Sequence, residues 1–205
     1  ESATSGFDIV AYTGSGSART ISHSLSAVPG LIIVKNRAAA DAWQVYHGAN
    51  TAAPETDYMV LDTAAATADA ADRWNDTAPT SSVFSLGDAD EVNTNTEAYI
   101  AYCFAEKQGF SKFGGYTGNG NADGPFIYTG FRPAFFLLKK SSADNGWWRI
   151  QDNKREPFNV VDKSLFANVT DSEYDTTNYS VDFLSNGFKI RTALTGNNES
   201  GGTYI

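Results

Sequence analysis

The stretch GYTGNGNADGPFIYTGFRPAFFLLKK, residues 115–140, decides how the whole chain is read. Glycines and asparagines lead into an apolar run that ends on a lysine pair. The same order of residue types occurs once before, in YTGSGSARTISHSLSAVPGLIIVK, residues 12–35. Working outward, Gly6 in GFDIVAYTGSG pairs with Gly109 in GFSKFGGYTGNG, Pro29 with Pro133, Trp43 with Trp148 and Ile100 with Ile205. The spacing between partners is 103 residues at Gly6, 104 at Pro29, and 105 at Trp43 and Ile100. Such an ordered drift is how duplicated domains diverge, through single insertions in loops and at bulges. The chain therefore reads as two copies of one module, residues 1–105 and 106–205, joined by the short segment Ala105–Gln108.

Composition sets the fold class of each copy. Charged residues are 19% of the 205-residue chain, aromatics 13%, and glycine occurs 18 times, a balance that fits β-sandwiches and neither a coiled coil nor a disordered tail. GLIIVKN (30–36) and AFFLLKK (134–140) are apolar on both faces, as in a covered central strand. AWQVYH and GWWRIQD alternate so as to set Trp43 with Val45, and Trp148 with Ile150, on one core face. In EAYIAYCFAE, Tyr99, Ala101 and Cys103 face one way and Ile100, Tyr102 and Phe104 the other, a two-sided strand that belongs inside a sheet. Asn186-Gly187 in YSVDFLSNGFKIR is the strongest hairpin signal, a tight turn with positive φ. The alanines of TAAATADAADRW allow one brief helical turn. The expectation is an all-β protein of two tandem, similar β-sandwich-like domains from an internal duplication. The second copy stops at Ile205 where the first continues AYCFAE, so its last strand reads as incomplete, to be finished by further chain or by a partner. The start, ESATSG, has no methionine and reads as processed or as a piece of a longer chain.

A net charge of −9 opposes nucleic-acid binding, which needs lysine and arginine to displace counterions. Cys103 is the single cysteine, so no disulfide forms within the chain and a thiolate zinc cluster lacks ligands. No stretch reaches the roughly 18 apolar residues of a membrane helix, so no membrane insertion is expected.

The glycine-rich loop invites three chemical readings. It has neither the Gly-Lys-Ser/Thr of a phosphate loop nor a dinucleotide fingerprint in a βαβ unit. Asn119, Asn121 and Asp123, followed by Gly124, do resemble the alternating oxygen ligands that open a calcium loop, but no glutamate follows to close it. Calcium at these three residues is thus the single cofactor expectation, against the plainer one of a hydrogen-bonded turn. Asp88, Asp90 and Glu91 form a second acidic loop, which reads as solvated. Hydrolysis needs a placed base and nucleophile or two close carboxylates. His23 and His47 have no counterpart in the second copy, and Asp62, Asp72 and Glu97 make an acid pair only by chance of folding, so no enzyme is expected. The four N-x-S/T sequons, at Asn75, Asn168, Asn178 and Asn198, are at chance level in so serine-, threonine- and asparagine-rich a chain. Sugar binding stacks pyranose rings on aromatic faces, which nominates Trp147, Tyr116 and Tyr128, with Trp148, Trp74 and Tyr174 behind them as core packing. Of the tryptophan pair, Trp147 is the outward one.

In GFDIVAYTGSG, VPGLIIVKNR, NDTAPTSSVFSLG, VDFLSNGFKIR and, most specifically, CFAEKQGFSKFGGYTGNG (103–120), the chain resembles a repeat domain of large structural proteins of marine tailed phages, including cyanophages and pelagiphages. The resemblance covers nearly the whole chain. It implies a noncatalytic protein of the virion surface, most often a tail fibre or receptor-binding component that contacts host glycan. Capsid decoration is the alternative, since small β modules can brace a capsid lattice through symmetric contacts, and an extracellular adhesin or filament subunit a further one. The partners implied are other virion proteins, further copies of the chain and a host surface glycan, with no nucleic acid.

Overall fold

The computed structural model describes residues 3–205 and shows an all-β protein with several antiparallel sheets and three short helices. Two compact units are present. The first comprises the chain up to Gly114 apart from 62–66, and the second comprises Asp62–Ala66 and Gly115–Ile205. Residues after Ala105 stay with the first unit for a local reason. Glu106 accepts the Phe113 N–H at 3.0 Å and pairs with Lys112 at 2.9 Å, while the Phe113 ring lies edge-on to His47 at 6.2 Å.

In the first unit, β1 (Phe7–Thr13), β3 (Leu31–Asn36), β4 (Gln44–His47), β5 (Asp57–Val60), β6 (Ala68–Asp69) and β8 (Ala98–Phe104) form one antiparallel sheet in the order β1-β8-β3-β4-β5-β6. A second ladder pairs β2 (Arg19–Ser22) with β7 (Val83–Leu86). Side chains of both, among them Ile21 and Phe84 from the ladder and Ile32, Val34, Tyr99 and Ala101 from the sheet, share one core with Trp74, the last residue of α1 (Ala71–Trp74). The arrangement is sandwich-like, and each apolar side chain it buries contributes about 1.5–3 kcal/mol. β8 lies between β1 and β3, with Tyr99, Ala101 and Cys103 fully buried, as its two-sided pattern predicts. Burial pushes the Cys103 thiol up to about 12, so it is an inert core group.

Beyond β7, a stretch with little regular ladder must still satisfy its backbone. The side chain of Asn93, at the end of α2 (Asp90–Asn93), does this: its Oδ1 accepts the Ser15 N–H at 2.9 Å, and its Nδ2 donates to Ser17 O at 2.8 Å and Gly87 O at 2.7 Å. Tyr12 and Tyr99 stack at 5.2 Å, and their hydroxyls donate to Val92 O and Asp90 O.

The second unit has β9 (Tyr116–Thr117), β10 (Phe126–Tyr128), β11 (Phe135–Leu138), β12 (Arg149–Asp152), β13 (Lys163–Phe166), β14 (Tyr174–Asp175), β15 (Val181–Leu184), β16 (Gly187–Ile190) and β17 (Thr203–Tyr204). The orders are β11-β12-β13-β14, β10-β16-β15 and β17-β9. Ile205 and Lys139 exchange two backbone hydrogen bonds at 2.9 Å, and Lys140 bridges Tyr204, so β17 is paired along both edges. Phe136, Leu138, Val181, Phe183, Phe188, Ile190 and Tyr204 form the core. Asn198, closing α3 (Thr195–Asn198), accepts the Asn119 N–H at 2.7 Å and donates to Asn121 O at 2.7 Å, Thr192 O at 2.9 Å and Asn119 Oδ1 at 2.9 Å. The asparagine of that sequon is therefore buried in the fold.

Three expectations are corrected. The β15–β16 hairpin turns at Ser185-Asn186, and neither Asn186 nor Gly187 has positive φ. Gly187 is glycine because β10 approaches closely: a Cβ there would meet Ile127 O at 2.1 Å. The face assignment in GWWRIQD holds for Trp148, which is buried, and fails for Ile150, since β12 begins only at Arg149. Ile150 points outward and is half-buried, while Arg149 and Gln151 point into the core. Lastly, the apolar run at Phe135–Leu138 is not covered on both faces, because Phe135 is exposed.

Asn93→Ala and Asn198→Ala each leave three backbone groups, most of them partly buried, without that partner, a loss of about 3 kcal/mol at ~1 kcal/mol per group, the lower end of the range for buried groups. Urea unfolding is expected to show this drop for both, and Asp at either position to give no recovery, because the missing groups include donors to carbonyls.

Candidate functional site

β12 enters the second unit with Arg149 as its first residue, and the pleat sends its side chain inward. The residue is 2% exposed. Its guanidinium lies 3.9 Å from the Tyr179 ring centre and 5.6 Å from that of Phe166. Trp147 meets Phe166 edge-on at 4.8 Å and Tyr174 at 6.2 Å, so the two rings against the arginine belong to a larger cluster of aromatic side chains. Above it opens a cavity of about 260 Å³ lined by Trp147, Arg149, Tyr179, Leu194, Thr195 and Gly196, with Asn145 at the rim.

Among the described residues no carboxylate pairs with Arg149, and its Nε and Nη1 have no hydrogen-bond partner. Burial lowers its pKa to about 10, opposed by the neighbouring phenols of Tyr179, Tyr116 and Tyr204, and the group stays a cation at neutral pH. Arg73 in the first unit shows the opposite arrangement. Its head lies 4.8 Å from the Tyr58 ring but is paired with Asp72 at 2.7 Å, with Glu91 at 3.0 Å and with Gln44 Oε1 at 3.3 Å. Elsewhere in the interior of this unit further polar atoms lack partners: Gln151 Oε1, Ser164 Oγ and both amide atoms of Asn197. Chemically the cavity offers a desolvated cation beside aromatic surface.

Of the residues nominated for ligand contact, Trp147 lies at this cavity, half-buried. Tyr116 is turned to the fold: its ring stacks on Tyr204 at 4.9 Å and its hydroxyl donates to Asn197 O at 2.6 Å. Tyr128 is exposed on β10 and does not line the cavity. Trp148 and Trp74 are core residues.

At the glycine-rich loop, Asn119 Oδ1 accepts the Asn121 N–H at 3.0 Å and Asn121 Oδ1 accepts the Asp123 N–H at 2.9 Å, while Asp123 pairs with Lys189 at 2.8 Å. The two asparagine oxygens hold a hydrogen-bonded turn, and the third residue of the calcium reading, Asp123, is met by an ammonium. Among the described residues no group of three His, Cys, Asp or Glu side chains is placed to hold a metal ion. Asp72 is bound to Arg73, and Glu97 accepts from Asn36 at 2.5 Å. His23 follows β2 and its ring bonds to Thr80 O at 3.2 Å.

Arg149 is the residue that sequence reading passed over. The signal for it is present in the order of GWWRIQD: once Ile150 is set outward, a charged residue falls on the core face.

The chain belongs to the family described as Domain of unknown function (DUF7483), whose model matches residues 1–205. No curated protein matches it. No solved structure matches it either.

His47 is buried beside Phe113, and burial pulls its pKa down from 6.5 to about 4, with Glu106 opposing. The native state thus stays unprotonated while the unfolded chain gains a proton between pH 6.5 and 4. His47 is expected to contribute a loss of stability of up to about 3 kcal/mol as pH falls through that window and none above it. Chemical denaturation at pH 7 and pH 4.5 checks this: the difference between wild type and His47→Gln should shrink or reverse at the lower pH.

Proposed function

We propose that this protein is a noncatalytic structural component of a phage virion surface, a tail fibre or receptor-binding protein with host-glycan contact, built from two copies of one sandwich-forming module. The duplication is supported by matching internal geometry. Val34 pairs with Gln44 and Gln44 with Val60 in the first unit; Leu138 pairs with Arg149 and Arg149 with Phe166 in the second. Tyr12 faces Tyr99 as Tyr116 faces Tyr204, and Asn93 and Asn198 bind matching loops. Gly14 and Gly118 meet the carbonyls of Thr94 and Glu199, where a Cβ would stand 2.0 and 2.2 Å away.

One observation carries the assembly role. On the outer face of the second unit, Leu137, Ile150 and Leu165 stand directly opposite one another on β11, β12 and β13. Phe135, 56% exposed, lies on the same face, and Leu165 is 37% exposed. A contiguous apolar row on a sheet face marks an interaction surface, and a second copy of the chain is its proposed occupant. The Trp147 cavity supports the glycan contact. No helix among the described residues is long and apolar enough to cross a membrane.

Sedimentation of the purified chain at micromolar concentration is expected to show an oligomer that Leu165→Lys dissociates while leaving the circular dichroism unchanged; a wild-type monomer would sink the self-assembly role. Gold-labelled antibody is expected on fibres of intact particles. Label over the capsid lattice would favour decoration instead, and no label on particles would remove the virion reading.

A further inference from the structure

We propose that the Arg149 cavity of the second unit binds the carboxylate of an acidic sugar, a single ring of the uronate kind. The arginine is buried and two of its three nitrogens have no partner, whereas Arg73 is met by two carboxylates. A desolvated cation without a counterion destabilises the fold that holds it, and an entering anion relieves this. Nothing within the unit supplies that anion.

The form of the site selects among anions. A guanidinium presents a planar fork that a carboxylate matches with two parallel hydrogen bonds. Stacking on Tyr179 fixes the plane of the fork. Gly196 keeps one side open: a Cβ there would stand 3.0 Å from Arg149 Nη2, so any side chain would crowd the nitrogen. Trp147, which lines the cavity, offers aromatic surface for the ring that bears the acid, and Thr195 a hydroxyl at the mouth. At about 260 Å³ the cavity lies below the ~300–1,000 Å³ of sites for drug-sized ligands, which suits one sugar ring and no longer segment. The net charge of −9 disfavours dense polyanions and leaves a single carboxylate as the acceptable charge.

That the acid is carried by a sugar rests on the glycan-contact reading above; the anion site itself rests on Arg149. Calorimetry with the whole chain, followed in parallel by tryptophan fluorescence, separates the two. The probes are the methyl glycoside of glucuronate, the methyl glycoside of glucose, and acetate. The glucuronide is expected to bind, with the neutral glucoside at least about tenfold weaker, the discrimination of a site whose buried polar group loses its partner. Acetate is expected to be weaker still, lacking the ring.

Arg149→Met is expected to abolish glucuronide binding and to raise the melting temperature without ligand, because it removes the unpaired charge. Gly196→Ala is expected to weaken binding with the fold intact, and it decides the matter should the arginine variant not fold. Equal binding of glucuronide and glucoside, or glucuronide binding unchanged in either variant, overturns the carboxylate site. Acetate binding as tightly as glucuronide overturns the sugar while the anion site stands. Particle labelling that fails while glucuronide binds sinks the virion reading and leaves this inference in place.

Discussion

Each unit is held at its most irregular point by one buried asparagine. Asn93 and Asn198 lie where the chain leaves a short helix, next to a glycine-rich loop whose backbone has no strand to pair with. A side-chain amide both donates and accepts over a span of a few ångströms, so it can replace several missing ladder bonds at once. Serine lacks the reach and aspartate lacks the donors. The stacked pairs Tyr12–Tyr99 and Tyr116–Tyr204 then carry the constraint into the sheets, their hydroxyls bonded to carbonyls of the same short helices. Position of the loop, closure of the last strand and packing of the core are coupled through these groups.

Within that frame the interiors differ. The first unit fills its centre with Tyr46 edge-on to Trp74, whose Nε1 has no partner, and meets Arg73 with two carboxylates. The second keeps Arg149, Gln151, Ser164 and Asn197 in its centre with polar atoms unmatched. Buried polar groups are normally matched, and their exceptions gather where a fold has a task besides its own stability. On the duplication we propose, one copy retains the scaffold's packing while the other is free to hold a recognition site. The apolar row on the outer face of β11–β13 is a separate feature, the one on which the proposed self-assembly rests.

Much of the scaffold is legible from residue order. The two-sided apolar pattern of Ala98–Phe104 places it between two strands, the alanines before Trp74 allow a helical turn, and Trp147 is the more exposed of the tryptophan pair. The site is legible only in part. Alternation fixes a strand's faces up to a shift of one residue, and that shift exchanges core for surface. In GWWRIQD the shift is set from a distance, because the Trp148 N–H is held by Asn168 Oδ1 and the strand starts after it. Arg149 is thereby sent inward, which no local pattern states.

By itself, then, the sequence determined the all-β class, the net negative charge, and the strands whose apolar content is symmetric under a one-residue slip, since these depend on composition and period alone. Tertiary structure decided which face of β12 is core, why Gly187 is a glycine, and which groups of the loop backbone the buried asparagine serves. Each of those turns on a partner far along the chain: Asn168, Ile127 and Asn198 respectively. Hydrogen-bond satisfaction and close approach are pairwise properties, and a linear pattern holds only one member of each pair.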